Sequence, residues 1–479
     1  MSSPTITAPA GSAGLTAAAS KRTRNAVGGA FFGFFVDNFD IYLPLIALAP
    51  AMLYFVPASI DAGTAALIAS WVFVATLIGR PLGSFIFGSL ADSIGRRKST
   101  LIAVAGFGIA TLIMACLPGY QTVGIGGVIA LIALRFIAGV LLGGEYSGAN
   151  VLAMEESPRE KRGLFGGIVQ MGAGFAAAIV SLLTFVLLAI IPGGAVSSPY
   201  VQWGWRIPFF VGAALAFVFL IYYSRNVSES TVWKKSDPAE KSKLSLFTLF
   251  RGRALVGFIQ VFVWMTGLWF LLNTVTALIP QVLTKTVKLT SSESTLVFMV
   301  TWLVLTGMYV VGGVISQRIG RRTYLIATGI LALVIGIPAY WMLINVSQPN
   351  VWVAMLPAVI AAIFIVSPWA VVTSYLSERF ATENRAVGYG LGYSLAVIIP
   401  SFYATYQIWL SGIVPMQYTV LVLVGIGGVL AIVGAALGPE TKNVEFHPAV
   451  EDRAQQSGAE HPGTEHPAVA QPGARGATR

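Results

Sequence analysis

Charge is what this sequence has least of. Of its 479 residues only 10% are Asp, Glu, Lys or Arg and 56% are hydrophobic, whereas a soluble protein carries about 25% charged residues. Most of such a surface cannot face water. Cysteine is almost missing: Cys116 stands alone inside an apolar run, which excludes a disulfide framework within the chain. The three histidines, His447, His461 and His466, all lie near the C-terminus, so imidazole cannot relay protons through an apolar core. The same shortage argues against a thiol or zinc enzyme. No Gly-x4-Gly-Lys-Ser/Thr run occurs, so nucleotide-driven pumping is not suggested. No cofactor, metal site or catalytic residue is expected. The segment before Lys21 lacks the apolar core of a cleavable signal, so the first apolar run is expected to serve as an uncleaved insertion signal.

Long apolar runs are what is there. Measured against the roughly 20 residues that cross a bilayer, they predict about twelve membrane helices. The first six lie near 27–54, 64–89, 99–117, 122–149, 164–191 and 205–223, and the second six near 254–283, 294–317, 323–344, 351–376, 385–410 and 415–437. The expected fold is an all-α polytopic membrane protein of two pseudo-symmetric six-helix bundles, over 26–224 and 254–438. A cytoplasmic N-terminal tail (1–25), a cytoplasmic linker (225–253) with a short surface helix at 244–250, and a disordered cytoplasmic tail (439–479) complete it. The net charge of +10 could suggest nucleic acid as a partner. Its distribution argues otherwise, because the basic clusters at 21–24, 96–98, 159–162, 234–243 and 321–322 all fall on one side of the predicted membrane. Short basic loops stay cytoplasmic, which predicts both termini inside.

The halves repeat a pattern. Residues 88–98 read Gly-Ser-Leu-Ala-Asp-Ser-Ile-Gly-Arg-Arg-Lys between the second and third spans; residues 313–322 read Gly-Val-Ile-Ser-Gln-Arg-Ile-Gly-Arg-Arg at the equivalent place in the second half. This loop resembles the signature of the major facilitator transporters. Further segments resemble the metabolite:proton symporter branch, whose members move carboxylates, shikimate-like acids, betaine or proline. They are Gly-Arg-Pro-Leu-Gly at 79–83, Arg-Phe-Ile-Ala-Gly at 135–139, Gly-Gly-Glu-Tyr-Ser-Gly-Ala at 143–149, Gly-Trp-Arg-Ile-Pro-Phe at 204–209 and Asp-Asn-Phe-Asp at 37–40. Pro-Glu-Thr-Lys at 439–442 resembles an ending frequent in sugar and metabolite porters. Asn38, Ala138 and Gln317 depart from the usual residues of these motifs. The resemblance implies alternating access by a monomer in a bacterial plasma (inner) membrane. It also implies a gate built on Asp92, Arg96 and Arg97, with Glu155, Arg162, Glu378, Arg379 and Arg385 as candidate partners.

Few ionisable residues lie within the spans, and a charge at mid-membrane costs about 2.5–3.5 kcal/mol or more. Asp37 and Asp40 share a face of span one. Two close carboxylates in a low dielectric cannot both ionise cheaply, as a proton-coupling site requires. These two and Glu145 are the candidate proton carriers; the alternative is that an aspartate merely pairs with an arginine. Arg135, mid-way along span four, is either the anchor of an anionic substrate or a fixed partner of an aspartate. Arg80 reads as a structural or gating residue. Tyr42, Gln170, Gln260, Asn273, Tyr389 and Tyr393 are the candidate polar substrate contacts. Gly-x3-Gly ridges at 139–143, 144–148 and 388–392 read as close-packing surfaces, and Pro44, Pro50 and Pro368 as kinks.

The favoured function is proton-coupled symport of a small, anionic organic acid. The first alternative is a betaine or proline osmolyte importer, in which Trp71, Trp264, Trp269 and Trp369 supply an aromatic cage. The second is a proton-driven drug exporter of the same fold, which the interior arginines disfavour. A membrane sensor or membrane enzyme is a third class, without an output module or catalytic set in the sequence.

Overall fold

The computed structural model describes residues 11–57, 59–144, 146–227, 249–380 and 385–446. The described residues are helices and connecting turns. Eleven helices are long and apolar enough to cross a membrane: α1 (Ser20–Ala47), α2 (Gly63–Phe87), α3 (Arg97–Ala115), α5 (Arg159–Ile190), α6 (Tyr200–Asn226), α7 (Ala254–Thr286), α8 (Ser291–Ile319), α9 (Arg321–Ile344), α10 (Val351–Arg379), α11 (Arg385–Leu410) and α12 (Met416–Leu437). The shorter α4 (Gly126–Leu142) takes the fourth place. It stops at Gly143-Gly144, and a further helix, Tyr146–Glu155, follows the break.

Helix ends follow local chemistry. Asp61 accepts from the Thr64 amide (2.9 Å) and hydroxyl (2.6 Å) before α2. Thr290 and Glu293 form a reciprocal capping box at the start of α8. The repeated loop has a structural counterpart: Gly95 and Gly320 adopt φ of 101° and 99°, a region that side chains disfavour. Prolines mark the irregular turns. Pro44 sits in a π-helical turn, Leu43–Ala47, Pro50 in a 3-10 turn, Ala49–Tyr54, and Pro368 in a 3-10 turn, Ser367–Val371.

Outward faces carry Phe85, Ile129, Leu182, Val256, Leu356 and Val433, all exposed, as a lipid-facing surface requires. Inward faces pack on glycine. A Cβ on Gly83 of α2 would lie 1.9 Å from the Val140 carbonyl of α4, and one on Gly139 would lie 2.0 Å from the Thr76 carbonyl. The two halves meet along α5 against α8 and α2 against α11. There, a Cβ on Gly313 would lie 2.2 Å from the Gly163 carbonyl.

The first helix is already formed at Gly11, within the expected N-terminal tail, as Ala-rich sequence favours. One expectation needs correcting. Residues 439–446 are not a loose tail: Glu440 accepts from the amides of Arg321 (2.8 Å) and Arg322 (3.1 Å), and the Thr441 hydroxyl donates to Glu378 (2.8 Å). Residues 244–248 of the expected short helix, most of the linker and the tail beyond 446 lie outside the described residues.

Candidate functional site

The site begins on α1. Asp37 receives Arg80 of α2 at 2.6 Å, and Asp40 receives Arg135 of α4 at 2.6 Å, all four side chains being buried. The two pairs are not equivalent. Asp40 is saturated: Arg135 binds one oxygen, the Thr111 hydroxyl donates to the other at 2.7 Å, and Arg135 also donates to the Asp40 carbonyl at 3.1 Å. The Arg135 guanidinium lies 5.5 Å from the Phe209 ring centroid. Asp37 uses one oxygen for Arg80 and leaves the other, Oδ2, without a hydrogen-bond partner. The carboxylates expected to act as a shared pair therefore each have their own arginine.

A central cavity lies between the halves, with about 20 Å³ of space, room for a single water. Asn38, Tyr42, Gln170, Asn273 and Tyr393 line it, with Tyr309, Trp269 and Trp369. Trp269, Trp369 and Tyr393 pack edge to face at centroid distances of 4.9, 5.2 and 6.0 Å. Gln170 Nε2 of α5 donates across the interface to the Trp369 carbonyl at 2.7 Å. A larger cavity of about 280 Å³ lies beyond, at the end away from the described termini, where Pro44, Ser70, Gln281, Thr284, Lys285 and Tyr403 contribute to its wall. The sequence reading missed this cavity. Its only signal was a cluster of prolines, Pro44, Pro50 and Pro280, near the ends of two spans.

Several expected contacts stand elsewhere. Neither Arg135 nor Arg80 lines a cavity; in this conformation the first is committed to Asp40 and the second to Asp37. Gln260 is held by Tyr375 (3.2 Å), the Gly434 carbonyl (2.6 Å) and Arg379 (2.9 Å), away from the central cavity. The Tyr389 hydroxyl accepts from Asn150 at 3.1 Å across the interface, and its ring stacks on Tyr393. Trp264 packs on Tyr375, and Trp71 on Phe402, so neither joins the cavity's aromatic cluster.

The end that carries the termini is closed. Glu155 and Arg385 pair across the halves at 2.8 Å, and Gln317 accepts from the Gly163 amide at 2.9 Å. Arg162 donates to the Val444 carbonyl, Arg159 pairs with Glu445 at 3.1 Å, and Phe446 lies under the guanidinium groups of Arg162 (3.6 Å) and Arg385 (4.0 Å). Glu378 pairs with Arg321 at 3.1 Å within the second half. Arg97 donates to the Ser224 carbonyl of α6. Glu145 and the side chains of Asp92 and Arg96 lie outside the described residues.

The arrangement is a two-bundle carrier, shut at one end and hollow at the other, and comparison with known proteins agrees. The Major Facilitator Superfamily profile matches residues 30–391 and, in an overlapping second match, 269–463. The chain is 32% identical over 386 residues to the alpha-ketoglutarate permease of Escherichia coli, covering 80% of this chain and 86% of that one. It is 26% identical over 448 residues to the proline/betaine transporter of the same organism, covering 89% and 85%. Among solved structures, the partially occluded inward-open xylose transporter of E. coli aligns with a TM-score of 0.68 at 20% identity, covering 88% of this chain and 99% of that one. The chain belongs to the Major Facilitator Superfamily and is a multi-pass membrane transporter rather than an enzyme.

Proposed function

We propose that the chain is a proton-coupled symporter of a small organic acid, seated in a bacterial inner membrane with both termini cytoplasmic. The observation that carries this reading is the unequal pairing on α1. Asp40 is fully bonded, whereas Asp37, one residue before the cavity-lining Asn38, binds Arg80 through one oxygen and keeps Oδ2 unpartnered. Protonation neutralises Asp37 and releases the Arg80 guanidinium, whose planar fork matches a carboxylate. When substrate departs, Arg80 recaptures Asp37 and expels the proton, because a nearby guanidinium favours the charged carboxylate. This reading gives the substrate carboxylate to Arg80 rather than Arg135, because Asp37 is the less fully bonded of the two acids and the easier to protonate away from its arginine. The 32% identity to an alpha-ketoglutarate permease supports a carboxylate cargo.

A second reading, import of a betaine-like zwitterion, is favoured by the cluster of Trp269, Trp369 and Tyr393 in the same cavity. Uptake of radiolabelled organic acids and betaines into proteoliposomes, with and without an inward proton gradient, tests both. The expected result is acid uptake driven by the gradient, lost in Arg80→Gln, with Asp37→Asn retaining exchange but not accumulation. Gradient-insensitive exchange in the unmodified chain would remove proton coupling, and betaine uptake without acid uptake would replace the first reading by the second.

A further inference from the structure

The amide side chains in the wall of the central cavity are held in one sense. Asn273 and Gln170 are 1% and 2% exposed, and both line the cavity. Asn273 Nδ2 donates to the Pro400 carbonyl of α11 at 3.0 Å, and Gln170 Nε2 to the Trp369 carbonyl at 2.7 Å. A backbone carbonyl can only accept, so these contacts fix both amide orientations. The remaining atoms, Asn273 Oδ1 and Gln170 Oε1, have no hydrogen-bond partner. The other short polar side chains follow suit. Asn38 Nδ2 donates to the Phe34 carbonyl at 2.8 Å and the Thr276 hydroxyl to the Leu272 carbonyl at 2.9 Å. Each of these four side chains gives a hydrogen to a backbone carbonyl, and the oxygens of Asn273 and Gln170 are left over; Tyr42, Tyr309 and Tyr393, each with a hydroxyl, line the same cavity.

Buried acceptors left without donors are destabilising unless a ligand or water completes them. A carboxylate cannot do so, since it only accepts. We infer that the carried acid bears at least one O–H or N–H donor besides its carboxylate, taken by Asn273 Oδ1 and Gln170 Oε1. Carboxylates and quaternary betaines without such a donor are then poorly carried. This rests on the organic-acid reading above and narrows it to hydroxy and amino acids of small size. Asn273 is the firmer determinant. Its anchor, Pro400, belongs to the same half, so its oxygen keeps its aim as the halves part to admit a molecule larger than water. The Gln170 anchor lies in the opposite half and is released by that motion.

The test uses the full chain in proteoliposomes under an inward proton gradient, with pairs differing by one donor: lactate and propionate, malate and succinate, 2-hydroxyglutarate and alpha-ketoglutarate. Aspartate against succinate, and proline against N,N-dimethylproline, separate amine from hydroxyl donors. The expected result is at least a tenfold preference for the donor-bearing member of a transported pair. Asn273→Leu should bring that ratio toward one. Gel-filtration of each variant checks folding, and Gln170→Met makes the same comparison should Asn273→Leu fail to fold. Equal uptake of both members by the unmodified chain overturns the donor requirement and leaves the organic-acid reading intact. Uptake of no carboxylate in the panel overturns both.

Discussion

Asp37 and Asp40 are the same residue type, on one helix face, each facing an arginine, yet their surroundings give them different work. Asp40 is enclosed by Arg135, Thr111 and its own carbonyl's contacts with that arginine. Removing one member of such a buried pair costs about 3–5 kcal/mol, while replacing both by apolar residues is often neutral. Asp40→Asn should therefore lower the thermal unfolding midpoint in detergent, and Asp40→Asn combined with Arg135→Met should recover most of the loss. Unchanged melting in the single variant would mean that the pair does not hold α1 to α4. Asp37→Asn breaks an equally buried pair and should lower melting too, but should in addition abolish coupling. The sequence carried both acids and both arginines as candidates but not their pairing. Helical spacing placed the acids on one face; which arginine each would meet depends on how α2 and α4 pack, and that is set by backbone contact at Gly83 and Gly139.

At the scale of elements, glycines at close crossings divide into two kinds. Gly83 locks α2 to α4 inside one half, whereas Gly313 meets Gly163 between the halves. An added methyl should thus have opposite consequences. Gly83→Ala should yield little folded protein, because the new carbon overlaps the Val140 carbonyl. Gly313→Ala should fold, but wedge the halves apart at the end carrying the termini. A cysteine introduced at Ser374, which packs against Gly166 across the same interface, in a Cys116→Ser background, reports this through faster reaction with a thiol reagent. Unaltered labelling would show that the closed crossing accommodates the methyl. The spans, their order, the proline-marked turns and the repeated Gly-Arg-Arg loop were legible because hydropathy and special backbone angles are written locally. The break after α4 and the packed segment 439–446 were harder. Gly143-Gly144 read as a packing ridge, and Pro-Glu-Thr-Lys reads as tail until Glu440 meets the free amides at the start of α9.

At the scale of the whole molecule, segment 439–446 acts as a strap across the moving parts. It is anchored to the second half by Glu440 on Arg321 and Arg322 and by Thr441 on Glu378. It reaches the first half through the Val444 carbonyl on Arg162 and Glu445 on Arg159, and ends with Phe446 under one arginine from each half. The Arg159–Glu445 pair is half exposed and contributes about 0–1 kcal/mol; the stacked ring, better shielded, contributes up to about 2 kcal/mol. Any rocking that opens this end must break the cross-half contacts, so the strap stabilises the closed arrangement. Phe446→Ala should therefore shift the population toward opening at the termini by roughly five- to thirtyfold, the factor that one to two kcal/mol represents. The Ser374→Cys reporter would react faster, and external substrate would bind more weakly, because a state less often populated binds with reduced apparent affinity. Truncation after Lys442 should do the same while sparing the anchor on α9. If neither change alters labelling, the strap only rides on the second half, and closure rests on the other cross-half contacts, Glu155–Arg385, Gln317–Gly163 and the α5–α8 glycines among them.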